Sequence, residues 1–208
     1  MSMPTTSQEQ SPFIKICGLR GGEDVAAALE GGADAIGVLL TESPRQIPWR
    51  QARAVANQIE GAALTVGVFH GETAEEIKAA VAATGITAIQ LHGAYPQAEF
   101  AALTDLGLPL VRAVSATAPD LAVGAYGEEM LIVDAPKPGS GESWDYRPLK
   151  SGLTGRWILA GGLNPQNVSR ALEESGAWGV DVSSGVEVER GIKDPAKIAA
   201  FIAAARQK

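Results

Sequence analysis

A chain of 208 residues, 46% of them apolar and 20% charged, can build a buried core and is too apolar to stay disordered. It is long enough for one compact domain and sits near the lower size limit of a complete barrel of eight strand–helix units. The net charge of −7 argues against a broad nucleic-acid surface, which needs clustered Lys and Arg, and leaves room only for a local anion site.

From the start of the chain, Met1 to Pro12 is polar and lacks the basic start and apolar run of a secretory signal. It reads as a disordered leader ahead of a domain spanning 13–208, with the cytoplasm as default address. The single cysteine, Cys17, excludes an intramolecular disulfide. No window holds the roughly 20 apolar residues that a bilayer span needs, so no membrane partner is expected.

Short, nearly continuous apolar runs follow at Phe13–Cys17, Asp34–Leu40, Leu64–Phe69, Ala88–Leu91, Leu110–Val114, Met130–Asp134, Arg156–Ala160 and Gly179–Val182. Continuous apolar character is the mark of parallel strands covered on both faces. Ala-rich amphipathic stretches separate these runs. Thr73 with Glu76 forms a capping box ahead of Ile77 and Val81, which share one helix face. Asn164-Pro165 and Asp194-Pro195 each set a capping residue before a proline at a first helical position.

Successive strands begin roughly 20–30 residues apart, the length of one strand–loop–helix–loop unit. Eight such repeats predict an α/β single-domain (β/α)8 TIM barrel. The structural rival is a doubly wound open sheet, which usually carries a Gly-rich turn after its first strand. Gly18-Leu19-Arg20-Gly21-Gly22 stands there and does not match GxGxxG. Pro136 to Trp144, rich in Gly, Pro and Ser, reads as a mobile active-site loop rather than a domain boundary.

Barrel chemistry sits where strands end and the following loops begin. Those positions hold Cys17, Ser43 to Arg45, His70, His92, Ser115, Asp134, Gly161-Gly162 and Ser183-Ser184-Gly185. A thiol, a carboxylate, an arginine and two Gly/Ser turns on one rim suit a phosphate, a second anionic group and proton transfer. Each also has a plainer reading. Cys17 is a small hydrophobe if buried, Asp134 a loop cap, Arg45 a solvated loop residue, His70 and His92 rim histidines, and the glycines turn residues.

Several words of the sequence go further together. Phe-Ile-Lys-Ile-Cys-Gly-Leu-Arg (13–20) resembles the opening signature of phosphoribosylanthranilate isomerases. Gly-Ala-Asp-Ala-Ile-Gly (32–37), Ser-Pro-Arg (43–45), Val-Gly-Val-Phe (66–69) and Ile-Gln-Leu-His-Gly (89–93) match later family segments in order. So do Asp134-Ala135, Leu-Ala-Gly-Gly-Leu-Asn-Pro (159–165) and Gly-Val-Asp-Val-Ser-Ser-Gly-Val-Glu (179–187).

The resemblance implies an Amadori rearrangement of N-(5-phosphoribosyl)anthranilate to an aminoketose, a step of tryptophan biosynthesis that needs no nicotinamide, flavin or metal. It makes Asp134 the general acid that protonates the furanose ring oxygen. Cys17 becomes the general base that takes the C2 proton. Arg45 is implied as the clamp on the anthranilate carboxylate. Gly161, Gly162, Ser183, Ser184 and Gly185 form the implied phosphate cradle. Asp181 is implied to hold a sugar hydroxyl, with Gln90 and His92 supporting the rim. The partner is then a small phosphorylated substrate, not nucleic acid. The modest charged fraction and Ala-rich surface helices carry no strong signal for an obligate interface, so a monomer is favoured over a homodimer.

Both proton-moving residues need tuning. Asp134 must stay protonated against a reference of about 3.9, and Cys17 must become a thiolate against about 8.5. The sequence also departs from the family pattern. Leu39-Leu40 stands where aromatics usually precede Ser-Pro-Arg, Gln46 where a Tyr usually follows it, and His70 at a position more often aliphatic or amide. Gly139-Ser140-Gly141-Glu142 replaces a Gly-Gly-Thr-Gly loop. These changes bear on ring packing and loop contacts rather than on the acid, the base and the anion binder. The histidine-pathway aminoaldose isomerase is a rival, but it uses an aspartate where Cys17 stands. A pentose-phosphate epimerase would want paired His and Asp metal ligands. A non-catalytic phospholigand module would not need both Cys17 and Asp134.

Overall fold

The computed structural model describes residues 11–136 and 144–207. The expected leader therefore lies almost wholly outside the described residues, and so does most of the expected loop between Pro136 and Trp144. Strands β1 (Phe13–Cys17), β2 (Ala35–Leu39), β3 (Leu64–Phe69), β4 (Ala88–His92), β5 (Leu110–Ser115), β6 (Met130–Asp134), β7 (Trp157–Leu159) and β8 (Gly179–Val182) pair in chain order, all parallel. Lys15 lies in register with Ala35 on one side and Asp181 on the other, so β1 joins β8 and closes the barrel. The expected fold class holds, and each strand lies within a residue or so of its predicted limits.

The period of two sorts each strand. On β1, Ile14 and Ile16 face outward into the main core with Val25, Phe201 and Ile202 of the surrounding helices. Phe13 and Lys15 face the lumen, as do Ala35, Val66, Ala88, Val111, Met130 and Ile158. Both faces are buried, which is why the strands read as unbroken apolar runs. Each fully buried aliphatic side chain stabilises the fold by roughly 1.5–3 kcal/mol relative to exposure.

Helices α1 (Gly22–Glu30), α2 (Trp49–Ile59), α3 (Ala74–Thr84), α4 (Gln97–Leu103), α5 (Val168–Ser175) and α6 (Pro195–Arg206) cover the barrel. The Thr73 capping box forms in both directions, with Thr73 N–H on Glu76 at 2.8 Å and Glu76 N–H on Thr73 at 3.4 Å. Gly85, at φ 71°, ends α3 in the left-handed conformation that glycine adopts without strain. Asp194 caps α6 through the N–H groups of Ala196 and Lys197. Asn164 behaves differently from expectation. Its side chain closes a turn onto Gln166 and Asn167, and α5 starts only at Val168.

The strand–helix repeat is also less regular than predicted. The β5–β6 connection carries no helix, and among the described residues β6–β7 has only a 3-10 turn at Arg147–Ser151. Pro119 and the positive-φ glycines Gly124 and Gly127 break the first of these. Arg112 holds it in place of a helix. Its guanidinium faces outward from β5, fully buried, and donates to Glu128, Asp120 O and Ala122 O over the Tyr126 ring. A second unanticipated element is the antiparallel pair β9 (Glu187–Glu189) and β10 (Ile192–Lys193) after β8. No described helix is long and apolar enough to cross a membrane.

Candidate active site

The C-terminal ends of the strands open into a cavity of about 340 Å³. Its wall includes Cys17 from β1, Gln90 and His92 from β4, Asp134 from β6 and Asp181 from β8, with Arg45 reaching in from the β2–α2 loop. Gly161, Gly162, Ser183 and Ser184 complete it from the loops after β7 and β8. Ten of the eleven residues to which the resemblance gives a role therefore converge, because each sits at a lumen-facing position or just beyond a strand end; of the other rim positions, Ser43 and His70 also line the cavity and Ser115 does not. Gly185 does not line the cavity. A Cβ there would stand 1.8 Å from Leu163 O, so its missing side chain lets the loop after β8 pack on the loop after β7.

Asp134 ends β6 with one carboxylate oxygen accepting the Ala135 N–H at 2.7 Å. Burial raises its pKa above the usual carboxylate value, outweighing that hydrogen bond. Gly161, at φ 87°, passes so close that a Cβ would stand 2.6 Å from the same Asp134 oxygen. Across the barrel, burial likewise raises the Cys17 thiol, while Lys15 beside it pulls the other way. Burial and the neighbouring His70 push His92 toward the neutral form, the two rings being 6.1 Å apart. Gln90 is buried to 2% exposure, and its Oε1 has no hydrogen-bond partner among the described residues.

Charged groups surround these. Lys15, inside the barrel beneath the cavity, donates to Asp181 at 2.9 Å. Glu187 on β9 accepts from Arg45 Nε at 2.6 Å and Nη2 at 2.9 Å, and from Lys193 at 2.8 Å. Burial would raise the Glu187 carboxyl, but these bonds and the Gly191 N–H hold it at about 2. Arg45 is thus gripped along one edge of its fork, and its Nη1 carries no bond to a described residue. Lys193 also donates to Ser183 O and Oγ, tying the hairpin to the loop after β8. The backbone N–H groups of Gly161, Gly162 and Ser184 meet no protein acceptor among the described residues. Such free donors on two facing turns are what an anion needs.

This donor set, acid and thiol can be compared with known proteins. The family model for N-(5'-phosphoribosyl)anthranilate isomerase matches residues 14–204, nearly the whole chain. The chain belongs to the phosphoribosylanthranilate isomerase family. An N-(5'-phosphoribosyl)anthranilate isomerase of Listeria monocytogenes is 40% identical over 201 residues, covering 93% of this chain and 98% of its own. The crystal structure of a TrpF from Jonesia denitrificans superposes with a TM-score of 0.86 at 43% identity, over 94% of this chain and 97% of that one. A phosphoribosylanthranilate isomerase solved with reduced 1-(o-carboxyphenylamino)-1-deoxyribulose 5-phosphate gives 0.79 at 29% identity, over 95% and 100%.

Three residues around this isomerase site escaped the sequence reading. Lys15 carried a signal, since a lysine two places before Cys17 in a strand must share its lumen-facing side. Glu187 ended the last matched family word without a role attached to it. Lys193 had no local signal, because only the β9–β10 hairpin carries it back to Ser183 and Glu187.

Proposed function

We propose that this chain converts N-(5'-phosphoribosyl)anthranilate to its aminoketose isomer with Asp134 as general acid and Cys17 as general base. Its family makes it an isomerase of tryptophan biosynthesis. The observation that carries the residue roles is the shared cavity, with a burial-raised carboxyl on β6 and the only thiol on β1 at the opposite wall. Asp134 gives its proton to the ring oxygen as the C1–O bond breaks toward that oxygen. The anilino nitrogen lone pair meanwhile forms the C1=N iminium. The Cys17 thiolate takes the C2 proton, and the electron pair left behind neutralises the iminium to an enolamine. Gaining a proton at C1 and losing the O2 proton then yields the ketone.

The remaining roles follow from chemistry at each wall. Gly161, Gly162 and Ser184 offer free N–H groups to the phosphate, with Ser183 alongside. Arg45 presents its unused Nη1 side to the anthranilate carboxylate, its other edge being fixed by Glu187. Leu39 and Val68 line the cavity as apolar cover for the ring. Asp181 and Gln90 face the sugar, and the orphaned Gln90 Oε1 has a hydroxyl as its natural donor. The ligand held by the related solved isomerase supports a phosphorylated, carboxylated small molecule here. We place the work in the cytoplasm and assign the chain as a monomer, consistent with exposed large apolar residues limited, among those described, to Trp49, Val188 and Ile192. Light scattering should give the mass of one chain, and twice that mass would refute the assignment. Expression in cells lacking the isomerase tests the function: growth without tryptophan is the expected result, and none, with protein present, would overturn it.

A further inference from the structure

Cys17 poses an electrostatic problem that the acid does not. Burial favours the neutral thiol, yet a base must carry the negative charge. Two residues upstream on the same lumen-facing side, Lys15 is 1% exposed, an unusual place for an ammonium. Asp181 takes one of its three N–H donors at 2.9 Å, and the Cys17 thiol also lies within bonding reach of Nζ. A packing role alone would be served by an aliphatic side chain, without placing a charge in the lumen.

Gly37, the residue paired with Cys17 across β1 and β2, shows where the ammonium goes. A Cβ on Gly37 would stand 2.9 Å from Cys17 Sγ and 3.2 Å from Lys15 Nζ. Sulphur and nitrogen thus crowd the same point, and only glycine leaves them that space. We propose that Lys15 is the counter-ion of the Cys17 thiolate, a positioning residue that Gly37 admits and that Asp181 shares.

The surroundings of the thiol are consistent with this assignment. Lys15 on β1 and Lys193 on β10 favour its charged form, whereas Asp181 on β8 opposes it. Arg45 from the β2–α2 loop lies close enough to feel the Cys17 charge. Asp134 on β6 and His92 on β4 in turn feel Lys15. Asp181 therefore divides the ammonium's charge with Cys17. A substrate hydroxyl bound to Asp181 frees more of it for the sulphur at the moment the thiolate is needed.

The inference rests on Cys17 being the base, but its test does not require turnover. Because Cys17 is the only cysteine, every thiol signal belongs to it. The rate of iodoacetamide alkylation and the ultraviolet absorbance of the thiolate are followed against pH in the free protein. Lys15→Met should move the thiol titration up by about one pH unit or more, and Lys15→Arg should restore most of it. Asp181→Asn should move it down, which keeps the test open if Lys15→Met fails to fold. In turnover at fixed pH, Lys15→Met should lower kcat about tenfold or more, with a smaller change in KM. An unmoved titration in folded Lys15→Met, or an unmoved or raised one in Asp181→Asn, overturns the proposal. Full turnover by Cys17→Ser would instead remove the base role and leave these titrations as they are.

Discussion

At the scale of single residues, the site joins a carboxyl raised by burial to a thiol raised by burial. Raising Asp134 from 3.8 favours the protonated form that the proposed acid needs, whereas raising Cys17 from 9.0 opposes the thiolate that the proposed base needs. Below the Asp134 value the acid is saturated and the thiolate fraction drops tenfold per pH unit. Above the Cys17 value the thiolate is saturated and the protonated acid drops likewise. The kcat/KM profile should therefore fall on the alkaline side only above 9.0. A decline already present between pH 7 and 8 would contradict these assignments. Arg45 makes a separate prediction. Arg45→Ala should weaken binding of the carboxylated aminoketose by about 1.5–3 kcal/mol, roughly ten- to hundredfold, and spare an analogue lacking only the carboxylate. Calorimetric titration of both compounds decides it, equal losses meaning that the arginine serves only to order its loop with Glu187. The eleven candidate residues were readable from strand-end position and family words. The ion pairs that hold them were not, because Lys193 and Glu187 meet Arg45 only after the hairpin folds back.

At the scale of elements, the strands were plain in the sequence and two of the connections were not. An apolar run covered on both faces has one reading, whereas Ala116 to Glu129 contains alanines enough for a helix and glycines enough for a loop. Tertiary structure decides it through Arg112, whose buried guanidinium satisfies two backbone carbonyls and the Glu128 carboxylate. Arg112→Met strands a carboxylate that is 0% exposed and should destabilise the fold by about 3–5 kcal/mol in urea denaturation. The double variant Arg112→Met with Glu128→Leu removes the uncompensated charge and should recover part of that loss. If the single variant unfolds at the wild-type midpoint, the pair does not hold this connection. The late start of α5 has a similar origin, since Asn164 satisfies its turn locally before the helix begins.

At the scale of the whole molecule, closure turns scattered residues into a site. Cys17 and Asp134 are 117 positions apart in sequence and belong to strands three steps apart around the ring, β1 and β6 by way of β8 and β7. Only the closed barrel sets them across one lumen, and α6 is tied back to the turn between α1 and β2. There Asp34 accepts from Ile14 N at 2.8 Å and from Arg206 at 2.9 Å. Barrel class was legible because eight runs of similar length recur at similar spacing. Cavity size and the depth of each group were not, since both depend on which lumen positions are filled. We propose that this barrel isomerises N-(5'-phosphoribosyl)anthranilate by moving protons through Asp134 and Cys17. Steady-state turnover of that substrate by the purified wild type, Cys17→Ser and Asp134→Asn tests it most directly. The expected result is conversion by the wild type and a loss of about two or more orders of magnitude in each folded variant, with affinity for a substrate analogue little changed. Near-normal turnover by either variant, or none by the wild type, would contradict it.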